Sequence, residues 1–144
     1  MSPAFSVRPA VWGDDESAIA QVRRTVFIEE QGVPAVLEWE ARDAECRWFL
    51  ARDAQGRPVG IARLTPEGTI GRMAVLAPWR RQGVGSALLA AALCAARTRG
   101  LSRITLSAQT HALGFYARHG FVAVGPEFPD AGIPHRAMTL EFLP

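Results

Sequence analysis

The stretch PWRRQGVGSALLAAAL, residues 78–93, joins an unusual first turn to a strongly helical segment. Its Leu and Ala spacing predicts a helix that begins at Gly83, and Gly100 predicts the end of that helix. Two arginines and two glycines stand where Asp, Ser or Thr usually begin a helix. A glycine in a helix costs about 1 kcal/mol relative to alanine, and positive charge is disfavoured at this end of the helix dipole. Another requirement therefore favours this arrangement.

The backbone N–H groups at this helix start explain the pattern. They lack intrahelical acceptors, and glycine at 83 and 85 lets an anion approach them closely. No acid occupies the first turn, while Arg80 and Arg81 add positive charge. The stretch therefore predicts a phosphate site; the structural alternative is tight packing of the helix on a sheet. Valine at Gly83 or Gly85 should weaken ligand binding at a small folding cost, since its helix propensity is no worse than that of glycine.

Two familiar classes of phosphate site do not match this stretch. The nucleotide-binding P-loop requires a lysine, and the chain contains none. A dinucleotide-binding fingerprint requires a small residue where Leu88 stands and an acid where Arg103 stands. Both classes are therefore excluded in their usual form.

Length and composition are those of one globular domain spanning residues 1–144, with 49% hydrophobic and 21% charged residues. No apolar run approaches the roughly 20 residues of a membrane span, and the first ten residues do not resemble a signal peptide. We therefore expect a cytoplasmic protein that does not enter a membrane. Cys46 and Cys94 have no CxxC partner, so we expect two thiols and no metal site.

Charge is distributed unevenly along the chain. Residues 68–126 contain seven arginines and no acid, which predicts a surface for an anion. Residues 29–45 contain six acids and one arginine, which predicts a surface for a cation or a solvated loop. The formal net charge is only +2 and no helix has a continuous basic face, so we expect no nucleic-acid partner.

Periodicity predicts an α/β (α+β) domain with a mixed sheet. Three helices are expected, from Asp14 to before Gly32, from Gly83 to Gly100, and over His111–Arg118. The predicted strands are Phe5–Arg8, Trp48–Arg52, Val59–Leu64, Ile70–Leu76, Ile104–Leu106, Phe121–Val124 and Ala137–Phe142.

Several motifs together resemble those of one enzyme family. The strand IGRMAV, the glycine motif RRQGVG and the later AQTHALGFYARHGF resemble the acetyl-CoA signature of the GNAT superfamily of N-acetyltransferases. The segments VFIEEQGVP, LEWEARD and GIPH are similar to a bacterial ElaA/YjcF-like subgroup. The resemblance implies a mixed, mostly antiparallel sheet flanked by helices, with splayed central parallel strands. It also implies acetyl transfer from acetyl-CoA to a primary amine of a small molecule or peptide.

By position, the resemblance assigns most of the cofactor contacts to main-chain groups. The pantetheine arm would follow a strand backbone, the pyrophosphate would meet the helix start, and an aromatic would flank the thioester. Gln109 stands where many family members have Asn, which changes the reach of its amide. The residues implied are Met73, Ala74, Val75, Arg80, Arg81, Gln82, Gly83, Val84, Gly85, Ser86, Gln109 and Phe115.

The chemistry of amine acetylation needs an acid and a base. Tyr116, the only tyrosine, would stay protonated at pH 7 and could donate a proton to the leaving sulfur; alternatively, it is a packed aromatic. An alkylammonium has a pKa near 10.4 and must lose a proton before it attacks. Glu30 and His111 are the candidate bases, with His135 as a further alternative. The remaining candidates, for acceptor binding, are Glu29, Glu38, Trp39 and His135.

The sequence leaves one alternative function and the assembly state open. The alternative is a regulatory module that has the same glycine-rich phosphate site and binds CoA without catalysing acetyl transfer. Thiol release with a panel of amines would separate that module from an enzyme. Monomer and homodimer are both compatible with the sequence.

Overall fold

The structure, a computed structural model, describes residues 4–35 and 39–142 of the 144-residue chain. Within these residues, strands β1 to β7 span Phe5–Pro9, Arg47–Asp53, Pro58–Leu64, Thr69–Val75, Arg103–Gln109, Val122–Asp130 and Ile133–Glu141. They form one sheet in the order β1-β2-β3-β4-β5-β7-β6. Only β4 and β5 are parallel neighbours among the described strands. The predicted mixed, mostly antiparallel sheet is confirmed.

Three α-helices flank the sheet in the described part of the chain: α1 (Trp12–Arg23), α2 (Val84–Thr98) and α3 (Leu113–Arg118). Helix α1 continues as a π-helical segment, and short 3-10 turns precede β2, α2 and α3. These further segments are Arg24–Glu30, Ala41–Glu45, Ala77–Trp79 and Thr110–Ala112. No helix within the described ranges has the length and apolar character needed to cross a membrane.

The two long helices cover opposite faces of the sheet. Ile19 and Val22 of α1 and Val26 of the π-helical segment are buried with Leu50 and Ile61 on one face, here called the α1 face. On the other face, the α2 face, the helix buries its apolar side against the alternate residues of the same strands. That cluster includes Leu88, Leu89, Ala92, Ala96, Phe49, Ala51 and Ala62. Each face of the sheet therefore has its own core.

The parallel strands β4 and β5 separate soon after they begin. Their only register pairs are Thr69 with Thr105 and Ile70 with Leu106. Beyond these pairs β4 stays with β3 and β5 stays with β7. The register of β4 shifts at a bulge, where Arg72 has a left-handed φ of 48°. A bulge bends a strand and increases its twist, so β4 diverges from β5 and leaves an opening, the β4–β5 gap.

The C-terminal hairpin is longer than predicted. The strands expected over Phe121–Val124 and Ala137–Phe142 are instead β6 and β7, whose pairing continues to Asp130 and Ile133. No strand was expected between Val124 and Ala137. Because β6 lies at the edge of the sheet, its prolines do not interrupt a ladder on the outer side, and a register shift after Val124 accommodates the extra residues.

A buried ion network ties α1 to the sheet. Asp43, 4% exposed, accepts hydrogen bonds from Arg23 at 2.9 Å and Arg63 at 2.8 Å, and Arg63 also reaches Glu40 at 3.2 Å. Burial by itself would raise the pKa of Asp43, but the Glu40 N–H and the two guanidinium groups lower it below its ordinary value. The ionised carboxylate therefore contributes stability above the usual carboxyl pKa, and this is lost as the pH falls through the lowered pKa.

Replacing Asp43 with Ala should reduce the free energy of unfolding by about 3–5 kcal/mol at pH 7, because buried guanidinium groups lose their counterion. Urea denaturation measures the change. The difference between the variant and the wild type should shrink in acid, where Asp43 is protonated in both states of the wild type. Glu141→Ala is the control, since its pair with Arg103 is 65% and 62% exposed. Equal stability of the two variants would contradict the structural role of the network.

Candidate active site

The predicted phosphate cradle is formed by loop 80–83 and the first turn of α2. Arg81 and Gly83 both have left-handed φ angles, 63° and 87°, which turn the chain sharply before the helix. The left-handed conformation costs a non-glycine residue about 1–2 kcal/mol, which suggests a functional constraint at Arg81. The first turn contains no acid. Within the described residues, no backbone acceptor meets the N–H groups of Val84, Gly85 and Ser86.

Gly83 and Gly85 are required for different reasons, and the expected small folding cost of valine is wrong at Gly83. The left-handed φ of Gly83 would strain a β-branched residue, although the space around it is open. A Cβ at Gly85 would lie 3.4 Å from Phe115 Cζ and 3.9 Å from Val75 Cγ2, which is ordinary contact. A larger side chain at Gly85 would enter the space that these two residues border.

The side chains of the cradle turn mostly toward the protein. The Nε of Arg80 donates to the Val75 carbonyl at 2.9 Å, and its two terminal nitrogens donate to the Glu30 carboxylate at 2.8 and 2.7 Å. The amide of Gln82 donates to the Pro78 carbonyl at 2.8 Å. An anion would therefore meet main-chain N–H groups here, as predicted from the glycines.

Tyr116 lies beside β4. Its hydroxyl donates to the sulfur of Met73 at 3.5 Å, and its ring meets Phe115 and Phe121 edge-on. Burial raises the pKa of Tyr116 to about 12, so the hydroxyl keeps its proton over the whole neutral range. The structure thus brings a protonated hydroxyl to the strand whose backbone borders the β4–β5 gap.

The backbone N–H and C=O groups of Ala74 are directed toward β3, whereas those of Met73 and Val75 are directed toward the β4–β5 gap. Ala74 pairs with Ile61 of β3, and the N–H of Leu76 donates to the Val59 carbonyl of β3. Because backbone groups alternate along a strand, those of Met73 and Val75 are directed to the other side, toward β5. Met73 and Val75 therefore direct main-chain groups toward the gap, where the Val75 carbonyl already accepts a hydrogen bond from Arg80.

Four polar side chains gather on the α1 face at the end of β5. We call Gln31, Gln109, His111 and His135 the polar cluster. Gln109 donates to Gln31 Oε1 at 3.1 Å and accepts from His111 Nε2 at 2.6 Å. His135 is the register partner of Gln109 on β7. Because β4 and β5 pair only at their beginnings, the polar cluster lies at the open end of the gap.

Glu30 lies in an ion pair. The hydrogen bonds from Arg80 lower the pKa of Glu30 below its ordinary value, while burial opposes this only in part. A carboxylate with a lowered pKa is a weaker base, and its two oxygens already accept hydrogen bonds. Its role as a base stays a prediction, now less favoured than that of an imidazole.

Three of the six acids in segment 29–45 pair with arginines within the protein. Glu30, Glu40 and Asp43 pair with arginines, whereas Glu29 is exposed. Trp39 packs 4.4 Å from the Arg23 guanidinium and lines a cavity of about 400 Å³ beside α1. No hydrogen bond, ion pair or ring contact between described residues joins Trp39 to the polar cluster. Glu38 lies outside the described residues.

Sequence reasoning did not assign two residues of this region. Gln31 follows the two acids of the EEQG segment, and its hydrogen bond to Gln109 spans 78 positions. The Nε2 atom of His119 is 3.1 Å from the Ser86 hydroxyl oxygen. A polar residue between charged neighbours and a glycine was the only local signal for Gln31. Both contacts depend on distant parts of the chain.

The residues present fit an acyl-CoA. The left-handed loop and the acid-free helix start would hold a pyrophosphate, and Gly85 leaves space beside Phe115 and Val75. The gap would admit an extended pantetheine arm alongside the backbone of Met73 and Val75. Tyr116 lies where a thioester entering the gap would pass Met73.

Comparisons with known proteins agree with this geometry. The family model of the acetyltransferase (GNAT) domain matches residues 14–142. The uncharacterized N-acetyltransferase YjcF of Bacillus subtilis is 40% identical over 121 residues, which cover 81% of this chain and 86% of YjcF. An acyl-CoA N-acyltransferase structure from Pseudomonas aeruginosa is 30% identical, with a TM-score of 0.81 over 94% of this chain and 99% of that one. Escherichia coli ElaA shares the fold, with a TM-score of 0.80 and 24% identity over 95% and 99% of the two chains. The chain belongs to the GNAT family of acyl-CoA-dependent N-acetyltransferases.

Proposed function

We propose that this protein, as a single domain, transfers the acetyl group of acetyl-CoA to a primary amine of a small molecule or peptide by direct attack. The observation that carries the proposal is the β4–β5 gap, which has an acid-free helix start on one side and the polar cluster at its open end. Such a gap lets two substrates meet from opposite faces of one sheet. The proposal also includes two expectations from the sequence, namely that the protein is cytoplasmic and that its acceptor is an ammonium group before it is deprotonated.

Acetyl-CoA would supply an activated acyl carbon and a thiolate leaving group. The N–H groups at the start of α2 would hold its pyrophosphate, and the backbone of β4 would orient its arm. Tyr116 would donate a hydrogen bond to the departing sulfur. With a pKa of about 12, well above the value of about 8.5 for a thiol, Tyr116 would complete a proton transfer only if its oxygen regained a proton from the acceptor nitrogen.

Turnover of acetyl-CoA should be screened against polyamines, amino acids, aminoglycosides and peptide N-termini, with thiol release as the signal. Mass spectrometry should identify an N-acetylated product. Thiol release only with water, together with tight CoA binding, would instead favour the regulatory module.

Gly85→Val should weaken acetyl-CoA binding by at least about tenfold, because its added carbons enter the space between Phe115 and Val75. Its folding stability should not fall, since valine has a better helix propensity than glycine. Calorimetry measures the affinity. Ala90→Val, on the exposed side of the same helix, is the control and should bind like the wild type. Unchanged affinity in Gly85→Val would contradict the placement of the cofactor.

Tyr116→Phe should reduce kcat by about 10²- to 10⁴-fold, because it removes a donor and keeps the ring. Affinity for acetyl-CoA, measured separately, should survive. In the wild type, kcat should show no loss from ionisation of Tyr116 between pH 7 and 10, because the pKa is about 12. If kcat stays within a factor of about three while chemistry limits the rate, Tyr116 is a packed aromatic only.

A further inference from the structure

We propose that Nε2 of His135 is the general base that removes a proton from the acceptor ammonium. This inference rests on the proposed function and assigns the proton acceptor that the reaction needs. His135 lies on β7, within the polar cluster at the open end of the β4–β5 gap.

The main chain holds His135 in one tautomer. Its Nδ1 is 2.7 Å from the Ile133 carbonyl oxygen, which can only accept a hydrogen bond. Nδ1 therefore carries the proton, and in the neutral ring the lone pair of a base is on Nε2. No described residue is a hydrogen-bond partner of Nε2, and Nε2 is not among the buried side-chain atoms that lack one. Solvent or a substrate can therefore reach it.

The ring is also held in place. His135 is 8% exposed and stacks on Phe128, with ring centroids 6.0 Å apart and an interplanar angle of 27°. Its register partners are Gln109 on β5 and Phe128 on β6. Cross-strand partners project from the same face, and Gln109 contacts Gln31 on the α1 face. His135 is thus on the face opposite α2, away from the start of that helix.

The other candidate bases are less suited to this role. Both carboxylate oxygens of Glu30 accept hydrogen bonds from Arg80, which lower its pKa. His111 is exposed, and its Nε2 donates to Gln109. Of the two imidazoles in the polar cluster, only that of His135 is buried, stacked and oriented by the main chain.

The charged and titratable groups around His135 come from four neighbouring segments of the chain. Strand β6 contributes Asp130, which is exposed and lies on the same face of the sheet as His135. The turn before α3 contributes His111, and the π-helical segment contributes Glu30, which is paired with Arg80. Arg136, the next residue on β7, donates to the Gly125 carbonyl. Among the described residues no ion pair involves His135.

The proposed step is a single proton transfer. An N–H bond of the acceptor ammonium breaks, its electron pair stays on nitrogen, and the proton bonds to Nε2. The imidazolium then returns this proton to solvent. The result is a neutral amine that can attack, which at pH 7 is otherwise a fraction of about 10⁻³ to 10⁻⁴ of an alkylamine.

The first test uses the wild-type protein without ligands. Nitrogen-15 NMR of the histidine rings should show His135 in the Nδ1–H form at neutral pH, with Nε2 titrating. The acidic limb of kcat/KM, measured with an amine from the screen, should have the same midpoint as that titration. An Nε2–H tautomer, or a limb that follows His111 instead, would overturn the assignment whether or not any variant folds.

The second test is His135→Gln, with Asp130→Asn as the matched control from the same face. His135→Gln should lose about 10²-fold or more in kcat/KM at pH 7, lose the acidic limb, and bind acetyl-CoA like the wild type. Its deficit should shrink toward pH 10, where solution supplies the neutral amine. Asp130→Asn should keep the wild-type profile. A structural role would instead lower activity equally at every pH.

Rescue completes the experiment. Added imidazole should restore part of the activity of His135→Ala, because a free base can replace the missing ring. No rescue, in a variant that retains acetyl-CoA affinity, would count against His135 as the base. If the wild type acetylates no amine in the screen, the proposed function fails; amine turnover with an unaltered pH profile in His135→Gln refutes this inference alone.

Discussion

The separation of β4 from β5 is the constraint on which the rest of the site depends. Two register pairs hold the parallel strands together, and the bulge at Arg72 then turns β4 away. Parallel strands usually continue side by side, because each leaves N–H and C=O groups for the other. Here the backbone of Met73 and Val75 faces an opening instead. In the proposed function, a cofactor with amide groups would complete this edge.

The two faces of the sheet place different groups at this opening. On the α2 face, the helix start, Phe115 and Tyr116 surround the approach to β4. On the α1 face, the polar cluster occupies the end of β5. The Glu30–Arg80 ion pair physically connects the π-helical segment to loop 80–83. This division follows from the alternation of side chains along β4 and β5.

The acidic segment has a structural role that its composition alone did not reveal. Six acids within residues 29–45 predicted either a surface for a cation or a solvated loop. Folding instead places arginines from α1, β3 and β4 against Glu40 and Asp43. Buried carboxylates require counterions, so these acids are engaged in holding the segment to the sheet. The polar cluster itself consists of amides and imidazoles.

Features that depend on neighbouring residues could be predicted from the chain alone. Periodicity located the helices and most strands, and the glycines predicted the sharp turn at the acid-free start of α2, because these signals are local. Contacts between distant residues could not be predicted: Arg80 meets Glu30 across 50 positions, and Gln109 meets Gln31 across 78. The tautomer of His135 is set by a carbonyl only two residues away, but the position of its ring depends on stacking against Phe128 of β6. A sequence lists the groups that can donate or accept a proton, but their orientation is set only when packing brings distant strands together.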